Sequence, residues 1–303
     1  MISRNFFLYL SQQQRLRHWM ETHPAARKLT QRYIAGETLE DELTVCAHLQ
    51  AAGMFAALDH LGENITSLEQ ADGPVQEYLT ALDQIAARGL LASVSLKLTQ
   101  FGLDLSDEAC IGNVRKLLAK AKDTGGRVEI DMEASPYTAK TIAIATQLAE
   151  EFGHLRCVIQ AYLYRSEADI LHMNQHQIPV RLCKGAYNEP PEIAMPKKSD
   201  VDLSYVKLMK LLLDHGNYPA IATHDPRMID TAISYAKEQG IAPERFEFQM
   251  LYGIRRDLQQ QVAAQGYRLR LYVPYGTAWY PYFMRRIAER PANLWFVVKG
   301  LLR

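Results

Sequence analysis

Along most of its length the chain alternates between two textures. Short apolar runs of strand length fall at 54–61, 93–98, 127–132, 156–161, 179–184, 218–223, 245–250 and 268–273. Between most of them lie longer stretches, such as 139–151, 201–215 and 227–239, in which apolar residues return every three or four positions. That spacing predicts helices. Alternating strand and helix argues for an α/β fold with a parallel sheet, and eight such units fit a (β/α)8 barrel better than an open doubly wound sheet. The first fifty residues differ, with periodicity that predicts helices over 6–22, 24–34 and 38–52. No long linker, repeat or low-complexity tract interrupts the pattern. The expectation is a single domain over 1–303, with N-terminal helices in 1–52, the barrel in 53–291 and a C-terminal segment in 292–303.

Composition narrows the function classes. Hydrophobic residues make up 48% of the chain and charged residues 22%, which is ordinary for a globular protein with a full core. Lys plus Arg and Asp plus Glu both total 34, so no bulk field draws the protein onto nucleic acid. Cys46, Cys110, Cys157 and Cys183 show no metal-ligand spacing and read as buried thiols in a reducing compartment, with no metal site. The opening segment mixes Phe6, Phe7 and Leu8 with Arg4, Arg15 and Arg17, and lacks the apolar core of a signal peptide. No apolar run approaches the roughly 20 residues of a membrane span. The expected location is cytoplasmic.

Barrel enzymes carry their chemistry at the C-terminal ends of the strands. Reading each run to its end gives Glu63, Lys97, Asp131 with Glu133, Gln160, Arg181 with Lys184, Thr223 with His224, Gln249, and Tyr272. Every run ends in groups that bind or titrate, which points to a site as well as a fold. No G-x-G-x-x-G opens a helix after a strand, so a cofactor has to be held by the barrel mouth itself. Near the C-terminus Pro281 and Pro291 bracket a helix, with Pro281 suited to its first position. On it Tyr282, Arg285, Arg286 and Glu289 share one side. A bare Arg-Arg pair usually marks a solvated face, but beside a Tyr and a Glu it suits a small carboxylate.

Together these runs resemble the proline dehydrogenase family. The resemblance covers Gly53 to Pro291 and is most specific in Arg181-Leu182-Cys183-Lys184-Gly185-Ala186-Tyr187 and in the block from Tyr272 to Pro291. Supporting runs are Leu61-Gly62-Glu63, Ser95-Leu96-Lys97-Leu98, Asp131-Met132-Glu133, Ile159-Gln160-Ala161-Tyr162, Thr223-His224 and Phe248-Gln249-Met250-Leu251. The resemblance implies a distorted (β/α)8, TIM-like barrel whose last helix lies over the mouth, bringing Arg285 and Arg286 above the cleft. It implies a flavoenzyme that oxidises L-proline to Δ1-pyrroline-5-carboxylate, with non-covalent FAD as hydride acceptor and a quinone as the next acceptor. Quinone use adds a peripheral contact at the inner face of the membrane. Phe6-Phe7-Leu8 and Trp295-Phe296-Val297-Val298 are candidate segments for it, although core packing is the plainer use of both.

The same resemblance distributes the site residues. Lys97, Arg285 and Arg286 take the substrate carboxylate, while Tyr272, Tyr282 and Leu251 wall the ring, with Tyr272 crowding out a ring hydroxyl. Asp131 and Arg181 stand as the catalytic pair, Arg181 beside the flavin N5. Glu63 and Asp131 hold Lys97, and Glu289 is a further balancing charge. Met132 and Gln160 meet the flavin ring; Lys184, Gly185 and Ala186 hold the pyrophosphate or ribityl region; Thr223 and His224 bind further along. After Tyr187 the chain departs from one common form of the motif, and Asn188-Glu189-Pro190-Pro191 leaves the contacts of that loop unassigned. Competing readings are a hydroxyproline dehydrogenase, a Schiff-base lyase acting through Lys97 or Lys184, and a barrel that only binds. The lyase requires a neutral lysine, whereas carboxylates beside Lys97 keep it charged.

Overall fold

In the computed structural model the eight apolar runs become β1 (Phe55–His60), β2 (Ala92–Leu96), β3 (Val128–Ile130), β4 (Leu155–Gln160), β5 (Val180–Cys183), β6 (Ala220–Ala222), β7 (Glu247–Leu251) and β8 (Leu269–Tyr275). Each pairs in parallel with its neighbours in chain order, and β8 closes on β1 in a register running from Phe55↔Arg270 to His60↔Tyr275. The structure describes Met20, residues 30–62 and residues 65–288, excepting the side chains of 285–288. The helix expected over 6–22, most of that over 24–34, and the segment 292–303 lie outside the described residues apart from Met20.

Among the described residues, helix α1 (Leu39–Ala51) precedes the barrel. Eight more follow the strands in turn: α2 (Asp72–Ala87), α3 (Asp107–Thr124), α4 (Ser135–Phe152), α5 (Ser166–Gln175), α6 (Lys198–His215), α7 (Pro226–Glu238), α8 (Arg256–Ala264) and α9 (Trp279–Ala288). Local chemistry fixes several ends. Thr38 and Asp41 close a capping box on α1, and Ser106 caps α3 through the Ala109 N–H. Asp225 caps α7 ahead of Pro226. Alternate strand residues such as Leu58, Val94, Leu96, Ile130, Leu182 and Leu271 pack outward against helix residues including Leu82, Leu117, Leu148 and Leu212 in one continuous core. All four cysteines are free, and burial pushes the Cys110 and Cys157 thiols up to about 12.

The last helix departs from the ring of the others. Trp279, Tyr280, Tyr282, Phe283 and Met284 pack with Tyr33, Ile34, Leu61 and Ile254, and against part of Leu251. Leu61 follows β1, while Leu251 ends β7 and Ile254 lies just beyond it, so α9 covers the C-terminal ends of those strands. Its start corrects one expectation: Pro281 is the third helical residue and not the first. It still falls among the first four positions, whose N–H groups have no intrahelical partner, so the missing donor costs nothing. No described helix is long and apolar enough to cross a membrane.

Candidate active site

The lumen of the barrel is charged. Successive strand residues point to opposite faces, so the positions between the outward apolar ones project inward. They supply Asp59 from β1, Ser93 and Ser95 from β2, Glu129 from β3, Arg156 from β4, Arg181 from β5, Glu247 and Gln249 from β7, and Arg270 and Tyr272 from β8. Lys97 and Asp131 follow directly after β2 and β3 on the same sides. In the deeper layer Arg156 donates to Glu129 at 3.2 Å and to Glu247 at 2.6 Å, and Arg270 donates to Glu247 at 2.9 Å. Gln249 donates to Glu247 at 2.7 Å, and Ser93 to Glu129 at 2.7 Å. Charges with no exposure are tolerable only when paired and hydrogen-bonded in this way.

Nearer the mouth the network converges on Asp131. Its carboxylate ion-pairs with Arg181, accepts the Ser95 hydroxyl at 2.7 Å and the Tyr272 hydroxyl at 2.7 Å, and lies 3.5 Å from the Lys97 ammonium. Arg181 also donates to Glu129 and to Gln249, each at 3.3 Å, and its guanidinium stands 5.2 Å from the centre of the Tyr272 ring. Burial alone would raise the Asp131 carboxyl, but Arg181 and Lys97, with the Tyr272 and Ser95 hydroxyls, hold it below its ordinary value. On the other side of Lys97, Asp59 approaches to 3.4 Å. There burial dominates, Lys97 only partly opposes it, and the charge on Asp131 adds to it, so the Asp59 carboxyl is raised. Two carboxylates thus flank one ammonium and are pushed in opposite directions.

Strands β4 to β6 shape the rest of the mouth. Gln160 donates to the Glu133 carbonyl at 3.0 Å and accepts the Ala186 N–H at 3.1 Å. Gly185 has φ +128°, and a Cβ there would lie 2.3 Å from the Tyr162 ring, so only glycine lets this backbone run against that face. The Lys184 ammonium pairs with Asp202 and lies 3.5 Å from Asp225. Asp225 is lowered to about 2, chiefly by hydrogen bonding to Arg227. The Thr223 hydroxyl accepts the Asp225 N–H at 3.1 Å, and His224 Nε2 accepts the Leu251 N–H at 2.8 Å.

A family model described as proline dehydrogenase matches residues 43–299. The chain belongs to that family. It is 44% identical over 300 residues to proline dehydrogenase 1 of Bacillus subtilis, covering 99% of each chain. Against the proline dehydrogenase of Deinococcus radiodurans it is 41% identical over 280 residues, covering 91% of this chain and 90% of that one. Among solved structures, proline utilization A from Bdellovibrio bacteriovorus superposes with a TM-score of 0.81 at 26% identity, over 86% of this chain. The chain spans about a third of that larger protein, 32%.

Within this family barrel, the expected residues fall into three groups. Lys97, Asp131, Arg181 and Tyr272 meet directly through Asp131. Gln160, Gly185 and Ala186 form the neighbouring edge, with Met132 buried at the end of β3 and Lys184, Thr223 and His224 further round. Leu251 and Tyr282 join the apolar cluster beneath α9. Arg285 and Arg286 belong to α9, but their side chains, like Glu63 and Glu289, lie outside the described residues. Among the described residues, the carboxylates beside Lys97 are Asp131 and Asp59, and reading strands only to their ends overlooked Asp59. Ser95 and Glu129, partners of the Arg181–Asp131 pair, were overlooked in the same way, while Gln249 was read as a strand-end group without a role. Period-two spacing was the available signal: Ser93-x-Ser95-x-Lys97, Glu129-x-Asp131, Glu247-x-Gln249 and Arg270-x-Tyr272 each mark an inward polar face.

Proposed function

We propose that this chain oxidises L-proline to Δ1-pyrroline-5-carboxylate with FAD as hydride acceptor, and that electrons pass on to a quinone. The observation that carries the reading is the junction at Asp131, where Lys97, Arg181 and Tyr272 are locked together at the open end of the barrel. The residues present fit a flavin dinucleotide: Gly185 lets the backbone run flush against the Tyr162 ring where a Cβ would clash, and the mouth around it offers the Gln160 amide, the Arg181 guanidinium and the Lys184 ammonium. When bound, the flavin supplies a hydride acceptor at N5 and a reservoir for the two electrons.

The chain's own residues do the rest. Arg285, Arg286 and Lys97 hold the proline carboxylate, since guanidinium forks match carboxylate geometry and stay charged. Tyr272, Tyr282 and Leu251 seat the ring, and Tyr272 is fixed from two sides, by Asp131 at its hydroxyl and by Arg181 at its face. A fixed wall admits proline more readily than its hydroxylated relative. Arg181 would set a permanent cation beside the flavin, suited to the negative charge it gains, and Asp131 keeps that cation aimed. Gln160 and Met132 would hold the flavin ring, and Lys184, Gly185, Ala186, Thr223 and His224 would hold the remainder of the dinucleotide. Glu63 and Glu289 would add balancing charge. Quinone use goes with peripheral contact at the inner face of the membrane.

The ion pairs argue against the Schiff-base lyase. Attack on a carbonyl needs a neutral amine, yet Lys97 sits between Asp59 and Asp131, and Lys184 between Asp202 and Asp225. Anaerobic titration of the purified protein with L-proline decides the matter. The reading expects a yellow protein whose visible flavin absorbance bleaches on adding proline. An unbleached flavin, or a colourless protein trapped covalently by borohydride, would overturn it.

A further inference from the structure

The loop after Tyr187 is organised around one carboxylate. From the end of β5, the Ala186 N–H binds Gln160 at 3.1 Å. The chain then crosses to α4, where Glu189 accepts the Ser135 N–H at 2.7 Å and the Ser135 hydroxyl at 2.5 Å. It returns over the β4–α5 turn: Leu163 bridges Ala194, the Tyr164 N–H binds the Ile193 carbonyl at 3.1 Å, and the Met195 N–H binds the Tyr162 carbonyl at 2.8 Å. Residues 186–197 therefore arch over the ends of β3, β4 and β5, with Ser135, Gln160 and Tyr162 at their footings. Pro190 and Pro191 stiffen the span immediately after Glu189.

Helix α4 lacks the local means of finishing its own N-terminus. Its N-cap is Ala134, which makes no side-chain cap, and its first turn holds no acidic residue. Ser, Thr, Asp or Asn is the usual occupant of that position, and negative charge is favoured at that pole of the helix dipole. Both needs are met by Glu189, 54 residues away. A cap supplied from within α4 would have left the arch untethered. Supplied from the arch, the same bonds tie the loop to the barrel frame.

We propose that Glu189 is a positioning residue that latches the 186–197 arch over the flavin's seat and thereby sets how fast the flavin leaves. This rests on the flavin reading given above. Glu189 is the described side-chain tether of the crown, so releasing it loosens residues 188–189, while Pro190, whose carbonyl accepts the Ile193 and Ala194 N–H groups at 3.0 and 3.1 Å, stays with the return limb pinned at 193–195. The effect is on cofactor release more than on folding.

The test compares FAD release from the wild-type holoenzyme and from Glu189→Ala, Glu189→Gln and Ser135→Ala, followed by flavin fluorescence after dilution. Bonds to a charged acceptor are worth about 1.5–3 kcal/mol, so Glu189→Ala should release FAD at least about tenfold faster. Glu189→Gln, which keeps one acceptor, should recover part of this. Ser135→Ala loses only the hydroxyl and should give a smaller increase. Melting of the flavin-stripped variants is measured alongside. Unchanged release in Glu189→Ala with a lowered melting temperature would overturn the proposal and leave Glu189 a helix cap only. If Glu189→Ala fails to fold, unchanged release in Ser135→Ala and Glu189→Gln overturns it equally. A wild-type chain that takes up no added FAD would remove the flavin reading, and this one with it.

Discussion

Replacing Asp131 with Asn tests the centre of the site most directly. Asp131 receives the Arg181 guanidinium, the Ser95 and Tyr272 hydroxyls and the approach of Lys97. An asparagine keeps one acceptor oxygen, loses the charge, and turns an NH2 toward groups that are themselves donors. Removing one partner from a buried ion pair costs about 3–5 kcal/mol, out of a total stability on the order of 5–15 kcal/mol. Two residues soften the loss. Arg181 retains Glu129 at 3.3 Å, and Lys97 retains Asp59 at 3.4 Å. Part of what raises the Asp59 carboxyl is the charge on Asp131, so neutralising Asp131 favours the ionised form of Asp59, which then balances Lys97. Asp131→Asn should therefore cost about 3 kcal/mol, at the lower end of that range. Asp59→Asn alone should cost about 1 kcal/mol, and the double variant should exceed the sum by at least about 1 kcal/mol. Equilibrium urea unfolding at neutral pH of all four proteins gives the cycle. Additivity within about 0.5 kcal/mol would refute the claim that the two carboxylates share Lys97. The pH dependence has a fixed sign: the Asp131 contribution is present above its ordinary 3.8 and is lost as pH falls through its lowered folded value, so the penalty of Asp131→Asn should shrink in acid.

Other outcomes follow from the same geometry. Arg285→Met and Arg286→Met should each raise KM for proline at least about tenfold while flavin stays bound; unchanged steady-state kinetics in both would remove the carboxylate clamp. Gly185→Ala forces a side chain into a left-handed backbone and against the Tyr162 ring, and should weaken FAD binding at least about tenfold at a cost of about 1–3 kcal/mol, read by flavin titration and thermal melting. Glu42, fully buried in α1, has one oxygen without a partner among the described residues and is raised well above 4.5, chiefly by burial. The stability tied to its proton is complete below that value and is lost as pH rises through the folded one. Glu42→Gln should therefore outlast the parent increasingly from pH 5 to pH 8, by about 1 kcal/mol or more, and parallel stability curves would contradict it.

The strands were legible because each apolar run carries its own boundary signals, and all eight fall within two or three residues of the expected positions. The lumen was less legible. Barrel interiors are ordinarily filled by bulky branched side chains, so Glu129, Arg156, Glu247 and Arg270 inside apolar runs gave no reason to expect a charged core. Their partners lie on other strands, and a side chain's pairing across the barrel leaves no trace in its own neighbourhood of sequence. Asp59 was hidden for a further reason: Glu63, four residues on, offered a conspicuous carboxylate at the place where barrel chemistry is expected. Lys97 and Asp131 were found because each lies just beyond a strand's C-terminal end, and Arg181 and Tyr272, inside β5 and β8, because each falls within a recognisable run.

The charged lumen also bears on how the chain assembles. Arg156 reaches Glu247 over 91 residues of sequence, Gln249 reaches Glu129 over 120, and Arg181 reaches Ser95 over 86. A cylinder lined with leucine and valine gains something from each strand added, and half of it can persist as a sticky intermediate. Here a half-cylinder holds guanidiniums and carboxylates whose counterparts have yet to arrive, so partial closure is penalised until the circle is complete. Such a lining discourages stable fragments and makes the final docking of β8 on β1 the cooperative event of folding.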